Sequence, residues 1–241
     1  MRWTSHSYFR PAAALLCILS VWGGSTVRSA DDVADEVGTI VWDFGYVPQK
    51  AEVSHTFYLH NDSDAPLNVS KIKAGCSCTS TSEINEPIAP GDSAAIEVTF
   101  KSGRYKGTVT KTTKVYTDEN EAETFRLAIK ANVVKNLADA QPIAIEPMHL
   151  KAYARDDQVR LAVDTIVVTN SGADSVTVDV LAASAGLELD RLPKIVGPGS
   201  RVGIPVGVRA VPSDDSDWLS ATLLVIGRDT TRVTIPVQIE R

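Results

Sequence analysis

The sequence predicts an all-β protein: two tandem immunoglobulin-like β-sandwich domains following an N-terminal signal peptide. Three observations carry this. Short runs rich in Val, Ile, Thr and Phe alternate with clusters of Gly, Pro, Asn and Asp. No segment sustains a helical period. Two blocks of sequence recur at an offset of about 109 residues.

The N-terminus reads as a targeting segment. Arg2 and Arg10 supply a positive flank, and an apolar stretch runs from Ala12 to Trp22, broken only by Ser20. Small residues follow, with Gly23, Gly24, Ser25 and Ser29. This order is that of a secretory signal peptide cleaved after Ser29, and the apolar run is short for a bilayer span. Cys17 lies inside the apolar stretch behind Leu16, not behind the small residue that lipid attachment requires, and is expected to be lost with the signal. Residues 1–29 carry three arginines and no acid, so processing takes the net charge from −6 to −9. A short acidic spacer, residues 30–37, comes next.

From there to the C-terminus the strand pattern is continuous. In "HTFYLHN" the apolar residues Phe57 and Leu59 fall two apart, so both face the core, and His55 and Asn61 share their parity. "TFYLHNDSDAPLNVS" at 56–70 aligns with "TIVVTNSGADSVTVD" at 165–179. "IAPGDSAAIEVTF" at 88–100 aligns with "VGPGSRVGIPVGV" at 196–208, superposing Pro90-Gly91 on Pro198-Gly199. Each copy ends a strand at an asparagine that can bond its own backbone, then turns through small polar residues. A later Pro-Gly pair reverses the chain. The expected domains are residues 38–134 and 143–241, joined by the polar linker 135–142.

Composition limits the function classes. An acidic chain with 6% aromatics repels phosphate backbones and offers few stacking platforms, which argues against nucleic acid. "DFG" at 43–45 has the spelling of a kinase magnesium motif without the rest of one, and reads as a turn ending the first strand with Phe44 buried. "GPGS" at 197–200 lacks the lysine of a phosphate loop. The acids cluster in turns such as "TDENEAE" and "PSDDSD". No catalytic and no cofactor-binding residue is assigned.

Cys76 and Cys78 are the chemically pointed feature. In an extended strand they share a face about 6.6 Å apart, near the upper limit for a disulfide, so bonding needs a kinked backbone. Three readings stay open. The two are packed thiols or a strained local disulfide, a redox-active pair, or ligands of a soft metal such as Cu or Zn. Two thiolates leave a zinc site incomplete, and His55 and His60 lie on opposite faces of the preceding strand, so at most one could complete it.

The motifs "WDFGYV", "VSHTFYLHN", "APLNVSKIKAGCSCT", "PIAPGDSAAIEVTF" and "KGTVTKTTKVYTD" occur in the order and spacing of a known family. Over about residues 38–134 the chain resembles domain of unknown function 1573. That resemblance implies an immunoglobulin-like sandwich, similar to hydin-type and major-sperm-protein-like domains, in an exported bacterial protein. The family's Cys-Gly-Cys-Thr motif is matched by Cys76, Cys78 and Thr79, with Ser77 in place of glycine. Ser63 likewise stands where the family's turn has glycine. The expected function is a non-catalytic binding or scaffolding module of the cell envelope, periplasmic or extracellular, with other envelope proteins as partners and no cofactor. The alternative is metal handling or thiol redox at Cys76 and Cys78.

Overall fold

The computed structural model describes residues 26–27, 33–34, 39–117, 120–136, 143–153, 164–190, 192–209 and 217–240. Most of the expected signal segment, most of the acidic spacer and residues 137–142 of the expected linker lie outside these. Thr26–Val27 (β1) and Val33–Ala34 (β2) are short strands. In the N-terminal half follow β3 (Thr39–Pro48), β4 (Glu52–His60), β5 (Val69–Ala74), β6 (Thr79–Thr81), β7 (Ser93–Lys101), β8 (Gly107–Thr117) and β9 (Asn120–Val134). The C-terminal half has β10 (Ile143–Glu146), β11 (Leu150–Tyr153), β12 (Asp164–Asn170), β13 (Val176–Ala183), β14 (Leu187–Leu189) and β15 (Lys194–Val196). It ends with β16 (Arg201–Val208), β17 (Trp218–Ile226) and β18 (Thr230–Glu240).

The fold is an all-β sandwich. In the N-terminal half, the sheet β1-β4-β7-β6 faces the strands β3-β9-β8-β5. Alternation puts every second side chain between them. Phe57 and Leu59 of β4, Ile96 and Val98 of β7, and Ile40, Trp42 and Phe44 of β3 are all buried in one core. Phe57 lies opposite Ile96 across the β4–β7 pair, so the register read from the sequence holds. In the C-terminal half, β10-β12-β16-β14 faces β15-β13-β17-β18 around a second core that includes Ile166, Val168, Ile204, Leu223 and Ile235.

The two halves share one continuous sheet, because β18 lies parallel to β3 through the pair Val233–Tyr46. A bulge in β3 makes this possible. Gly45 adopts a left-handed φ of 65°, and the β3–β9 register shifts between Asp43 and Tyr46. A Cβ at Gly45 would sit 1.9 Å from the Arg232 carbonyl oxygen, so only glycine admits β18 at this distance. The segment 43–45 is therefore not the end of a strand, as the sequence suggested, but a bend within one. Its hydrogen bonds explain the difference: the Asp43 carboxylate accepts from the Gly45 amide at 2.8 Å, and the Phe44 carbonyl accepts from the Thr234 hydroxyl at 2.7 Å. Phe44 itself is buried, as expected. The Arg232 guanidinium donates to the Asp43 carbonyl and lies 5.2 Å from the centre of the Trp42 ring. Leu181 and Ala182 of β13 pack against the N-terminal core, while Tyr46 and Val134 pack against the C-terminal one.

Among the described residues no helix is long and apolar enough to cross a membrane. Thr26 and Val27, which fall within the expected signal segment, pair with His60 and Leu59 at one edge of β4.

Candidate functional site

Cys76 and Cys78 occupy the corner where the chain leaves one sheet of the N-terminal sandwich for the other. β5, before them, pairs with β8 in the large sheet, and β6, after them, pairs with β7 in the smaller one. The crossing is tight. The Gly75 amide donates to the Thr112 carbonyl at 2.9 Å, and a Cβ at Gly75 would come within 2.7 Å of that same oxygen. A side chain there would push β5 off β8, which gives the glycine preceding Cys76 its physical reason. On the far side the Lys101 amide donates to the Cys78 carbonyl at 2.9 Å. Within the corner the Thr79 amide donates to the Cys76 carbonyl at 3.3 Å.

This turn brings the two Cα atoms to 5.3 Å, and the sulfurs are bonded to each other. The extended geometry read from the sequence does not apply, since a sheet-to-sheet corner kinks the backbone between the two cysteines even with Ser77 in the middle. Of the three readings the sequence left open, this structure shows the local disulfide. In that state neither sulfur is a thiolate, the form in which cysteine ligates a soft metal. Among the described residues no group of three or more His, Cys, Asp or Glu is placed to hold a metal ion. His55 stacks on Trp42 with ring centres 3.8 Å apart, whereas His60 lies 2.9 Å from the Ser93 hydroxyl and 3.1 Å from the Asp62 carboxylate.

Cys76 and Cys78 are partly exposed, and Ser77 between them is exposed. Thr79 is buried, and its hydroxyl oxygen lies 3.5 Å from the Cys76 sulfur and 3.9 Å from the Cys78 sulfur. A disulfide sulfur carries no proton, so the single hydroxyl proton of Thr79 is the donor, with the Cys76 sulfur the nearer acceptor. Sequence reasoning tied Thr79 to the cysteines only through the family motif. Its contact with both sulfurs follows from the corner, which folds residue 79 back over residue 76.

A second feature went unread in the sequence. β15 is the edge strand of the large sheet, and Ile195 on it is 76% exposed. Thr177 of β13 lies opposite Ile195 on one side and opposite Ile226 of β17, 44% exposed, on the other. These residues form a row across the outer face that ends at an open edge. In "PKIVGPG" only Val196 faces the core; the exposure of Ile195 follows from strand parity once the register with β13 is known.

A search of the curated proteins finds no match. Among solved structures the chain is similar to a protein of unknown function from Porphyromonas gingivalis W83, at 13% identity and TM-score 0.35, covering 90% of this chain and 100% of that one. It is also similar to a C. elegans member of the MSP family, at 10% identity and TM-score 0.32, covering 41% of this chain and 95% of that one. A third is the E. coli chaperone DraB, at 10% identity and TM-score 0.29, covering 84% and 100%. Likenesses at these levels say nothing of function. Residues 36–133 match the family model described as protein of unknown function (DUF1573), the family that the motifs of this part of the chain resemble.

Proposed function

We propose that this chain is a non-catalytic binding module of the bacterial cell envelope that docks a protein partner along the β15 edge. The supporting observation is the exposed row Ile195–Thr177–Ile226, which places one apolar side chain on the edge strand and a second two strands in. An edge strand presents backbone donors and acceptors to an added strand, and flanking apolar side chains give such an addition its specificity. An extended segment of a partner added at β15 would cover both isoleucines.

The test is cross-linking and pull-down from envelope extracts with the wild-type chain and with Ile195→Asp and Ile226→Asp. A partner should be recovered with the wild type and lost with both variants. Recovery of unpartnered monomer throughout, or equal recovery with the variants, sinks the β15 edge as the docking site. Export rests on the N-terminal sequence: the processed protein should begin within a few residues of Ala30, which N-terminal sequencing checks. Cleavage there removes β1 and bares the edge of β4 at Leu59 and His60.

A further inference from the structure

We propose that Cys76–Cys78 is an exchangeable disulfide that accepts two electrons from a dithiol of a partner protein, with the Thr79 hydroxyl stabilising the departing Cys76 thiolate.

The bond does little for the fold. A cross-link stabilises mainly by restricting the unfolded chain, and that effect shrinks with the length of the loop closed. Here the loop is Cys76-Ser77-Cys78 alone. The corner is meanwhile anchored on both flanks by main-chain bonds, Gly75 to Thr112 and Lys101 to Cys78, that need no sulfur. Both cysteines are partly exposed, so a thiolate can reach them without the sandwich opening. Thr79 is a buried residue, and its hydroxyl lies within hydrogen-bonding range of both sulfurs, nearer to Cys76. A shielded donor stabilises a thiolate more than a thioether-like disulfide sulfur, and a better-stabilised thiolate leaves faster.

The exchange then runs as follows. A partner thiolate attacks the Cys78 sulfur and forms a mixed disulfide, while the bond to Cys76 breaks. The electron pair of that bond goes to the Cys76 sulfur, which accepts the Thr79 hydrogen bond and takes a proton from water. The partner's second thiol loses its proton to water and attacks its own sulfur in the mixed disulfide, releasing Cys78 as a thiolate that is protonated in turn. The partner's dithiol is oxidised to a disulfide, and Cys76–Cys78 is reduced to two thiols. This chemistry is independent of any partner at β15.

The test uses the oxidised full chain in native buffer, with dithiothreitol and then reduced glutathione as probes. Samples are quenched by alkylation and read by mass spectrometry. Two thiols should appear while the circular dichroism spectrum is unchanged, and the transient glutathione adduct should map to Cys78. Thr79→Val should slow reduction about tenfold or more, and Thr79→Ser should restore the rate. Circular dichroism of both variants separates a lost donor from a lost fold. The idea is overturned if the bond opens only together with global unfolding, or if a folded Thr79→Val reacts as fast as the wild type. An adduct on Cys76 overturns the assigned direction of attack.

Discussion

The Asn61 side-chain amide donates to the carbonyls of Ala65 and Ile88, each at 2.8 Å, and Asn170 repeats the arrangement in the other half, donating to Asp174 at 2.8 Å and Val196 at 3.0 Å. In both, the side-chain oxygen accepts from the amide two residues on, Ser63 or Gly172. Both asparagines are fully buried. Each therefore ties the end of its strand to the turn that follows and to the residue just before the Pro-Gly turn, Ile88 or Val196. Asn61→Ala or Asn170→Ala would remove two donated bonds, one of them to a buried carbonyl, and one accepted bond. We expect a loss of about 2–4 kcal/mol from either, read as a shift in denaturant midpoint at constant slope. Near-neutral variants would mean that water replaces the amide at no cost.

These two asparagines show what the sequence made legible and what it did not. Their offset, and the later Pro-Gly pairs, were visible because the same local turn chemistry is needed twice. The alternation around Phe57 and Leu59 was visible because a half-buried strand imposes a period of two. The parallel contact of β18 with β3 was not visible, because a pairing between residues nearly two hundred positions apart leaves no local signature. The same contact turned Asp43-Phe44-Gly45 from an apparent turn into a bulge. At the candidate site the cysteines were identifiable by type alone. The corner that bonds them depends on which sheet each flanking strand joins, and spacing does not encode that.

Phe57 tests the register of the N-terminal core directly. It is fully buried opposite Ile96. Truncation to alanine removes apolar burial and leaves a cavity that the surrounding sheets cannot fill, at a cost of about 3–5 kcal/mol. Denaturant titration of Phe57→Ala should show that loss, and a stable variant would place this side chain outside the core.

Gly45 tests the join between the halves. Its φ of 65° is unfavourable for alanine, and the added Cβ would collide with the Arg232 main chain. Gly45→Ala should therefore destabilise the chain by at least about 2 kcal/mol. It should also speed amide exchange in residues 230–234, because β18 must withdraw. Unchanged exchange there would show that the join is not held at this contact.

His149 gives the chain a pH dependence of definite sign. Burial disfavours its charged form and lowers its pKa below the ordinary 6.5, an effect only partly offset by a hydrogen bond to the Gln49 main chain. The unfolded chain therefore takes up the proton first as pH falls. The contribution of neutral His149 is fully present above about pH 6.5 and is lost as pH falls from there through the lower folded-state pKa. Stability measured across this window should fall with pH, and His149→Gln should flatten that part of the slope. An equal slope in the variant would assign the effect to other groups.

The cysteine pair closes the comparison with Phe57. Serine at both positions removes the cross-link but leaves the main-chain bonds from Gly75 to Thr112 and from Lys101 to Cys78 in place. A loop of three residues limits the entropic stabilisation to about 1–2 kcal/mol at most, well below the cost of emptying a core site. Cys76→Ser combined with Cys78→Ser should thus unfold at a denaturant concentration close to that of the wild type, and far above that of Phe57→Ala. The chemically reduced wild type should match the double variant, since both lack the same bond. If the double variant instead falls to the level of Phe57→Ala, the disulfide is a structural staple of the sheet-to-sheet corner. Its partial exposure would then be incidental to any exchange chemistry.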